Sequence, residues 1–273
     1  MITFPNAKIN LGLNIVSRRP DGYHNIETVF YPIPLTDSLE IVPAEGSEST
    51  LTCYGRVVDC PTEKNLVMKA YRMMEKEFGL SPVDIYLVKH IPDGAGLGGG
   101  SSDASFCMKM LNDMFELGCT DEQLAKMASK IGADCPFFIH NKPMMATGIG
   151  DKFTPTDVCL KGKHMLLVKP DVSVPTKAAY AQVTPAPSAK PIPEILSDGM
   201  ENWQKELVND FEKSVFAQYP SLAEIKRTLL DSGASYAAMS GSGSSIFGIF
   251  SCAEMAEKAA DNFKEYSHFV IQL

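Results

Sequence analysis

The first periodic stretch of the chain, Lys8 to Val16, alternates: Ile9, Leu11, Leu13 and Ile15 fall on one side, and Lys8, Asn10, Gly12 and Asn14 on the other. Successive side chains of a strand point to opposite faces, so this stretch predicts a β-strand with Lys8 and Asn10 on one face beside Gly12. Asp37 to Val42 and Leu51 to Tyr54 read as further strands, linked by 44–49 with no helix between them, which is antiparallel chemistry. The period then becomes helical. Leu66, Val67, Ala70, Tyr71, Met74 and Phe78 make one stripe, with Asn65 as N-cap and Gly79 as stop. Val83 to His90 is strand-like, and Ala104, Cys107, Met108, Leu111, Met114 and Phe115 keep helical spacing. Thr120-Asp121-Glu122-Gln123 resembles a capping box opening a helix that ends at Gly132.

The second half alternates strands and helices. His164 to Lys169 and Ile246 to Phe250 read as strands, and Phe269 to Ile271 as a terminal one. Short helices are predicted from Val174 to Tyr180, with Thr176 at the start, and from Asn209 to Tyr219. Longer ones follow over Leu222 to Leu230, stopped by Gly233, and over Ala253 to Phe263. Thr184 to Pro193 holds four prolines and reads as an exposed loop. This predicts a smaller α+β layer after the first domain.

Composition narrows the picture. The chain has 273 residues, 45% of them hydrophobic, enough for one large or two small cores. The net charge of −8 argues against a nucleic-acid partner. An acidic chain that binds an anionic nucleotide must do so locally, with backbone N–H groups, a few lysines and a metal ion. No apolar run reaches the ~18 residues of a membrane span, and Met1 to Pro5 lacks a signal-peptide pattern, so a cytoplasmic protein is expected. The seven cysteines have no C-x-x-C pair, which points to reduced, largely buried thiols rather than disulfides or structural zinc.

The stretch Pro92-Asp93-Gly94-Ala95-Gly96-Leu97-Gly98-Gly99-Gly100-Ser101-Ser102 joins a predicted strand to a predicted helix. Glycines let the backbone approach a ligand closely, and a helix N-terminus attracts anions, phosphate above all. Either serine could cap the helix. A flexible linker has a similar composition. Gly94 to Gly99 also fits the dinucleotide-binding fingerprint, but the strand before it is less uniformly apolar than a doubly covered parallel strand. A P-loop is excluded, because Gly100 and Ser101 stand where its Gly-Lys-Ser/Thr would be required, and the lysine is missing.

Other candidates are weaker alone. Lys8 and Asn10 suit either a site or a solvated strand face. Tyr23 and His24 follow a Pro-Asp-Gly turn, where they could meet a ligand or be ordinary loop residues. Asp134 interrupts an apolar segment and is a helix cap, a structural ion pair or a functional carboxylate. Met239 to Ser245 is a second glycine/serine loop, suited to buttressing the first loop, touching substrate or simply turning the chain.

Taken together, Pro5-Asn6-Ala7-Lys8-Ile9-Asn10-Leu11, Pro92 to Ser102 and Ser240-Gly241-Ser242-Gly243-Ser244 resemble the GHMP small-molecule kinases. Asp21-Gly22-Tyr23-His24, Lys64-Asn65-Leu66, Gly132 to Phe138 and Val174-Pro175-Thr176 resemble those members that act on a cytidyl-diphosphate-linked methylerythritol. The resemblance spans nearly the whole chain in the expected order. It implies a two-domain α+β fold, with a mixed or antiparallel N-terminal sheet with helices (1–158) and a smaller ferredoxin-like C-terminal domain (159–273). It implies ATP with Mg²⁺ as phosphoryl donor, and a reaction at the 2-hydroxyl of that small-molecule substrate in non-mevalonate isoprenoid synthesis. A monomer or homodimer is expected.

By the same resemblance Lys8 and Asp134 are the catalytic pair. Residues 92–102 hold the ATP phosphates, and Asn65, Leu66 and Lys89 lie near the adenosine. Asn10, Tyr23, His24, Thr176 and Tyr180 surround the substrate, Tyr180 where an aromatic ring sandwiches the base. Two positions depart from the family. Asp103 stands where asparagine is as common, adding negative charge near the phosphates, and Thr147 stands where arginine is expected. A kinase of homoserine or mevalonate, or a non-catalytic nucleotide-binding protein, is the alternative. The last would have no need of Lys8 or Asp134.

Overall fold

Alternation carries the first long strand well past its predicted ends, from Asn6 to Arg18, and both of its faces are covered. The computed structural model describes residues 1–57 and 60–273. Along the chain run β1 (Ile2–Thr3), β2 (Asn6–Arg18), β3 (His24–Thr36), β4 (Ser38–Pro43), β5 (Thr50–Gly55), α1 (Leu66–Phe78), β6 (Val83–Lys89), α2 (Gly99–Met114), α3 (Asp121–Ala128) and α4 (Cys135–His140). There follow β7 (Met144–Thr147), β8 (Lys152–Pro155), β9 (His164–Lys169), α5 (Thr176–Ala181), α6 (Ile192–Ser197), α7 (Met200–Glu206), α8 (Phe211–Gln218), α9 (Pro220–Asp231), β10 (Tyr236–Met239), β11 (Ile246–Phe250), α10 (Ala253–Ala260) and β12 (Ser267–Gln272).

The chain packs as two units. The first comprises 1–7, 35–93 and 98–142. Its sheet has the order β1-β4-β6-β5. The expected antiparallel pairing of β4 with β5 is not what forms: β6 lies between them, antiparallel to β4 and parallel to β5. A parallel neighbour requires a crossover, and α1 supplies it. Asn65 caps α1 by accepting from the Val67 amide, and Gly79 closes it in a left-handed turn. Tyr71 and Met74 of α1, Cys107 and Leu111 of α2, and Ile85 and Leu87 of β6 form the core of this unit. The capping box at Thr120 and Gln123 is present, although α3 stops at Ala128, short of Gly132.

α2 begins at Gly99, not near Ala104, so Gly99 to Ser102 form its first turn and neither serine caps it. Gly98, at φ +71°, turns the chain into the helix. Glycine's low helix propensity matters less at Gly99 and Gly100, the first two helical positions, whose N–H groups have no intrahelical acceptor, while the Ser102 amide already donates to the Gly98 carbonyl at 2.9 Å.

The second unit comprises 8–34, 94–97 and 143–273. One sheet runs β2-β3-β7-β8 and the other β10-β11-β9-β12, the latter antiparallel throughout. Apolar residues of β9, β10 and β11 pack with α8, α9 and α10 around Leu222, Phe211 and Phe250. The proline-rich segment is a loop only in part: Pro191 sits at the N-cap of α6 and Pro193 in its first turn, where a missing N–H costs nothing. All seven cysteines are free, but Cys53, Cys60, Cys159 and Cys252 are exposed, not buried as expected. Among the described residues no helix is long and apolar enough to cross a membrane.

Candidate active site

β2 places Lys8 and Asn10 on one strand face, but that face is not solvated: Lys8 is 3% exposed and Asn10 2%. A buried ammonium needs partners. Lys8 Nζ donates to Asn10 Oδ1 at 2.8 Å and to the Gly96 carbonyl at 3.1 Å, and it lies 4.8 Å from the centre of the Phe30 ring. Asn10 Nδ2 in turn donates to Thr28 Oγ1 at 2.9 Å. The Lys8 amide donates to the Leu97 carbonyl at 2.9 Å, so backbone and side chain both tie β2 to 94–97.

In the glycine loop, Gly94, Gly96 and Gly98 all have positive φ (+57°, +76° and +71°), while Ala95 and Leu97 bury their side chains. A Cβ on Gly96 would stand 2.0 Å from the Ser240 carbonyl oxygen, closer than any atom tolerates. The second glycine/serine loop buttresses the first. Ser240 Oγ donates to the Gly96 carbonyl at 2.8 Å, and the Ser245 amide donates to the Ala95 carbonyl at 3.2 Å. Asn209, 4% exposed, holds that second loop by donating at 2.8 Å to the carbonyls of Met239 and Gly241.

The substrate candidates His24 and Tyr180 stack, with ring centres 4.9 Å apart and planes 16° apart. The Tyr180 ring also meets Phe211 edge to face. Thr176 Oγ1 lies 3.2 Å from Ser242 Oγ, and Tyr23, 62% exposed, presents its ring to solvent.

The first unit gathers the adenosine candidates. Asn65, Leu66 and Lys89 line one cavity of about 170 Å³ with the phosphate-loop candidates Asp93 and Gly100 and with Cys60, Lys64, Leu87 and Asp103. Lys89 forms part of its wall, yet its ammonium is engaged within the protein, paired with Asp37 and, at 2.6 Å, with Asp103 Oδ2. Burial alone would pull the Lys89 ammonium below its usual range; Asp103 and Asp37 outweigh that and hold it above. Burial pushes the Asp103 carboxyl up to about 8, against the opposing pull of Lys89. Asp103 therefore does not simply add negative charge near the phosphates: it is buried, paired with a cation and biased towards its protonated form. Asp37, a strand residue in the sequence reading, also accepts from the amides of His90 and Ile91 at 2.6 and 2.8 Å. Its signal was indirect: a lysine buried in the sheet requires a carboxylate.

Asp134 is half-buried at the N-cap position of α4, but its side chain makes no capping bond. The cap alternative is thereby removed.

The GHMP kinases N terminal domain family matches residues 65–142, and the GHMP kinases C terminal family matches 189–268. The 4-diphosphocytidyl-2-C-methyl-D-erythritol kinase of Bacteroides fragilis is 56% identical over 260 residues, covering 94% of this chain and 95% of its own. The chain belongs to the 4-diphosphocytidyl-2-C-methyl-D-erythritol kinase family of GHMP kinases. A crystal structure of a 4-(cytidine 5'-diphospho)-2C-methyl-D-erythritol kinase superposes on this GHMP kinase with a TM-score of 0.85 at 31% identity, covering 99% of this chain and 98% of the other. The mevalonate kinase of Methanococcus jannaschii superposes with a TM-score of 0.75 at 15% identity, covering 100% and 98%. That second likeness concerns the two-domain α+β GHMP kinase fold alone.

Proposed function

We propose that the chain transfers the γ-phosphoryl group of ATP to the 2-hydroxyl of 4-diphosphocytidyl-2-C-methyl-D-erythritol, with Lys8 and Asp134 as the catalytic pair. The observation that carries this assignment is the bond from Lys8 Nζ to the Gly96 carbonyl, which ties a buried ammonium to the glycine loop. The division near residue 158 belongs to the same reading and falls between the two matched family domains.

Phosphoryl transfer asks the protein for position and electrostatic stabilisation more than for covalent chemistry. Residues 92–102 take the phosphates, through the backbone of the glycines and the first turn of α2. Magnesium brought in with ATP would supply charge neutralisation at the phosphates. The cavity beside Asn65, Leu66 and Lys89 takes the adenosine, while the Lys89 ammonium, engaged by two carboxylates, shapes the wall. Asp134 accepts the hydroxyl proton, and Lys8 stabilises charge on the attacking oxygen. Asn10 holds Lys8, while Tyr23, His24, Thr176 and Tyr180 receive the cytidine end. The enzyme works in the cytoplasm as a monomer or homodimer, with small molecules and not nucleic acid as its partners.

An ADP-release assay with Mg²⁺ and ATP across this cytidyl substrate, mevalonate and homoserine tests the reading. Turnover with the cytidyl substrate alone is expected. Turnover with another alcohol and none with the cytidyl compound would overturn it.

A further inference from the structure

We propose that Thr28 is a positioning residue for this reaction: its hydroxyl fixes the orientation of the Asn10 amide and, through it, the direction of the Lys8 ammonium. The inference rests on the reading of Lys8 as catalytic and adds to it a residue two hydrogen bonds away.

Thr28 lies on β3 and is fully buried. Its Oγ1 donates to the Gly12 carbonyl at 2.5 Å. A hydroxyl has one proton, so once it is given to Gly12 the oxygen offers only lone pairs to its other neighbour. That neighbour is Asn10, which must present its NH₂ group and does so at 2.9 Å. The amide oxygen then faces the other way, towards Lys8 Nζ at 2.8 Å. The bonds form a chain of one polarity, from Lys8 through Asn10 and Thr28 to the Gly12 carbonyl. Reversing the amide would set an NH₂ group against an ammonium and leave the amide oxygen facing a hydroxyl whose proton is already committed.

The far end of the chain is anchored. Gly12 lies within β2, and the next residue, Leu13, is held on both sides of its backbone: its amide donates to the Val208 carbonyl at 2.8 Å and its carbonyl accepts from the Asp210 amide at 2.8 Å, which fixes the strand beside the Gly12 carbonyl. At the near end Lys8 Nζ donates to Asn10 Oδ1 and to the Gly96 carbonyl, both held in position. Two N–H directions fixed on a tetrahedral nitrogen determine the third. Phe30, two residues along β3 from Thr28, completes the setting with its ring beside Nζ. Lysine is a flexible stem with a point charge, and without such a frame its ammonium samples many positions. Small misplacements of a catalytic group are costly to rate.

A buried threonine in a strand could instead matter only for packing, and turnover separates the two roles. Thr28→Val keeps the shape and removes the hydroxyl; Thr28→Ser keeps the hydroxyl and removes a methyl. For Thr28→Val we expect kcat to fall by roughly tenfold to a hundredfold, with KM for ATP and for the cytidyl substrate within about threefold of wild type. For Thr28→Ser we expect kcat within about threefold of wild type even if Tm falls. Thr28→Cys, with a weaker donor of similar size, gives the same reading should the valine variant not fold: a loss of kcat without a matching rise in KM. The inference fails if Thr28→Val keeps kcat within twofold, or if Thr28→Ser loses as much kcat as Thr28→Val. Lys8→Ala is measured alongside. Normal turnover there removes the catalytic reading of Lys8 itself, whereas an inactive Lys8→Ala with an active Thr28→Val removes only the role of Thr28.

Discussion

Lys8 and Gly96 are joined by a 3.1 Å bond from ammonium to carbonyl, and Ser240 Oγ donates to the same oxygen at 2.8 Å. One backbone atom thus registers the lysine, the first glycine loop and the second. Gly96→Ala should break this register, because its Cβ would stand 2.0 Å from the Ser240 carbonyl oxygen and φ is +76°. A left-handed non-glycine residue and a backbone clash together cost on the order of 2–4 kcal/mol. We expect that loss in denaturant unfolding, with kcat down by more than about tenfold, since the Lys8 acceptor moves with the loop. Wild-type stability and turnover in Gly96→Ala would mean that the two loops are not held in this way.

Lys8→Ala and Asp134→Asn should each reduce kcat by roughly a thousandfold or more, the scale expected when a charge-stabilising group or a proton acceptor is removed. ATP affinity, measured by calorimetry, should change far less, because the glycine loop and the cavity proposed for the adenosine are intact in both. Near-normal turnover in either variant withdraws the catalytic role from that residue.

Local order carries the features that the sequence made legible. The glycine loop is contiguous, and the shared face of Lys8 and Asn10 follows from the parity of a strand, so both could be read directly. The burial of that face could not, because alternation says which residues share a side and not whether the side meets water. β3 was missed although Ile26, Thr28 and Phe30 alternate, because Pro32 and Pro34 interrupt the run. Thr28 was missed with it. The grouping of Lys89 with Asp37 and Asp103 spans 52 and 14 residues, and only the folded sheet brings it together. For that reason Asp103 read as a charge beside the phosphates. Gly99 to Ser102 read as loop because glycine disfavours helix, a preference that the turn at Gly98 and the packing of α2 override.

The paired Asp103 has a consequence for stability. Its carboxyl rises from the ordinary value of 3.8 to about 8, chiefly through burial. Below pH 4 the carboxyl is protonated in both folded and unfolded chains. Between pH 4 and about 8 the unfolded chain loses that proton while the folded one keeps it, so this group's contribution falls as pH rises. Above about 8 both forms are ionised and the loss levels off. The raised Lys89 ammonium stays protonated across this window and does not change the sign. Asp103→Asn cannot titrate, so its stability relative to wild type should improve steadily between pH 5 and pH 8 in denaturant unfolding. A constant difference across that range would place the Asp103 carboxyl in its ordinary range instead.

The stacked rings of His24 and Tyr180 allow a test of the substrate end that is separate from the chemistry. Their planes lie within 16°, and the edge contact of Tyr180 with Phe211 holds that ring's orientation. A flat aromatic surface held in place is what a pyrimidine base stacks on, and such stacking is worth ~1–3 kcal/mol per base. Tyr180→Ala should therefore raise KM for the cytidyl substrate by roughly 5- to 150-fold, with KM for ATP changed by less than about threefold. Tyr180→Phe keeps the ring and should behave as wild type, which separates stacking from any contact of the hydroxyl. Lys8 and the glycine loop are untouched by either change, so kcat at saturating substrate should fall little. If Tyr180→Ala lowers kcat at unchanged KM, the ring supports the fold around Lys8 and does not meet the base.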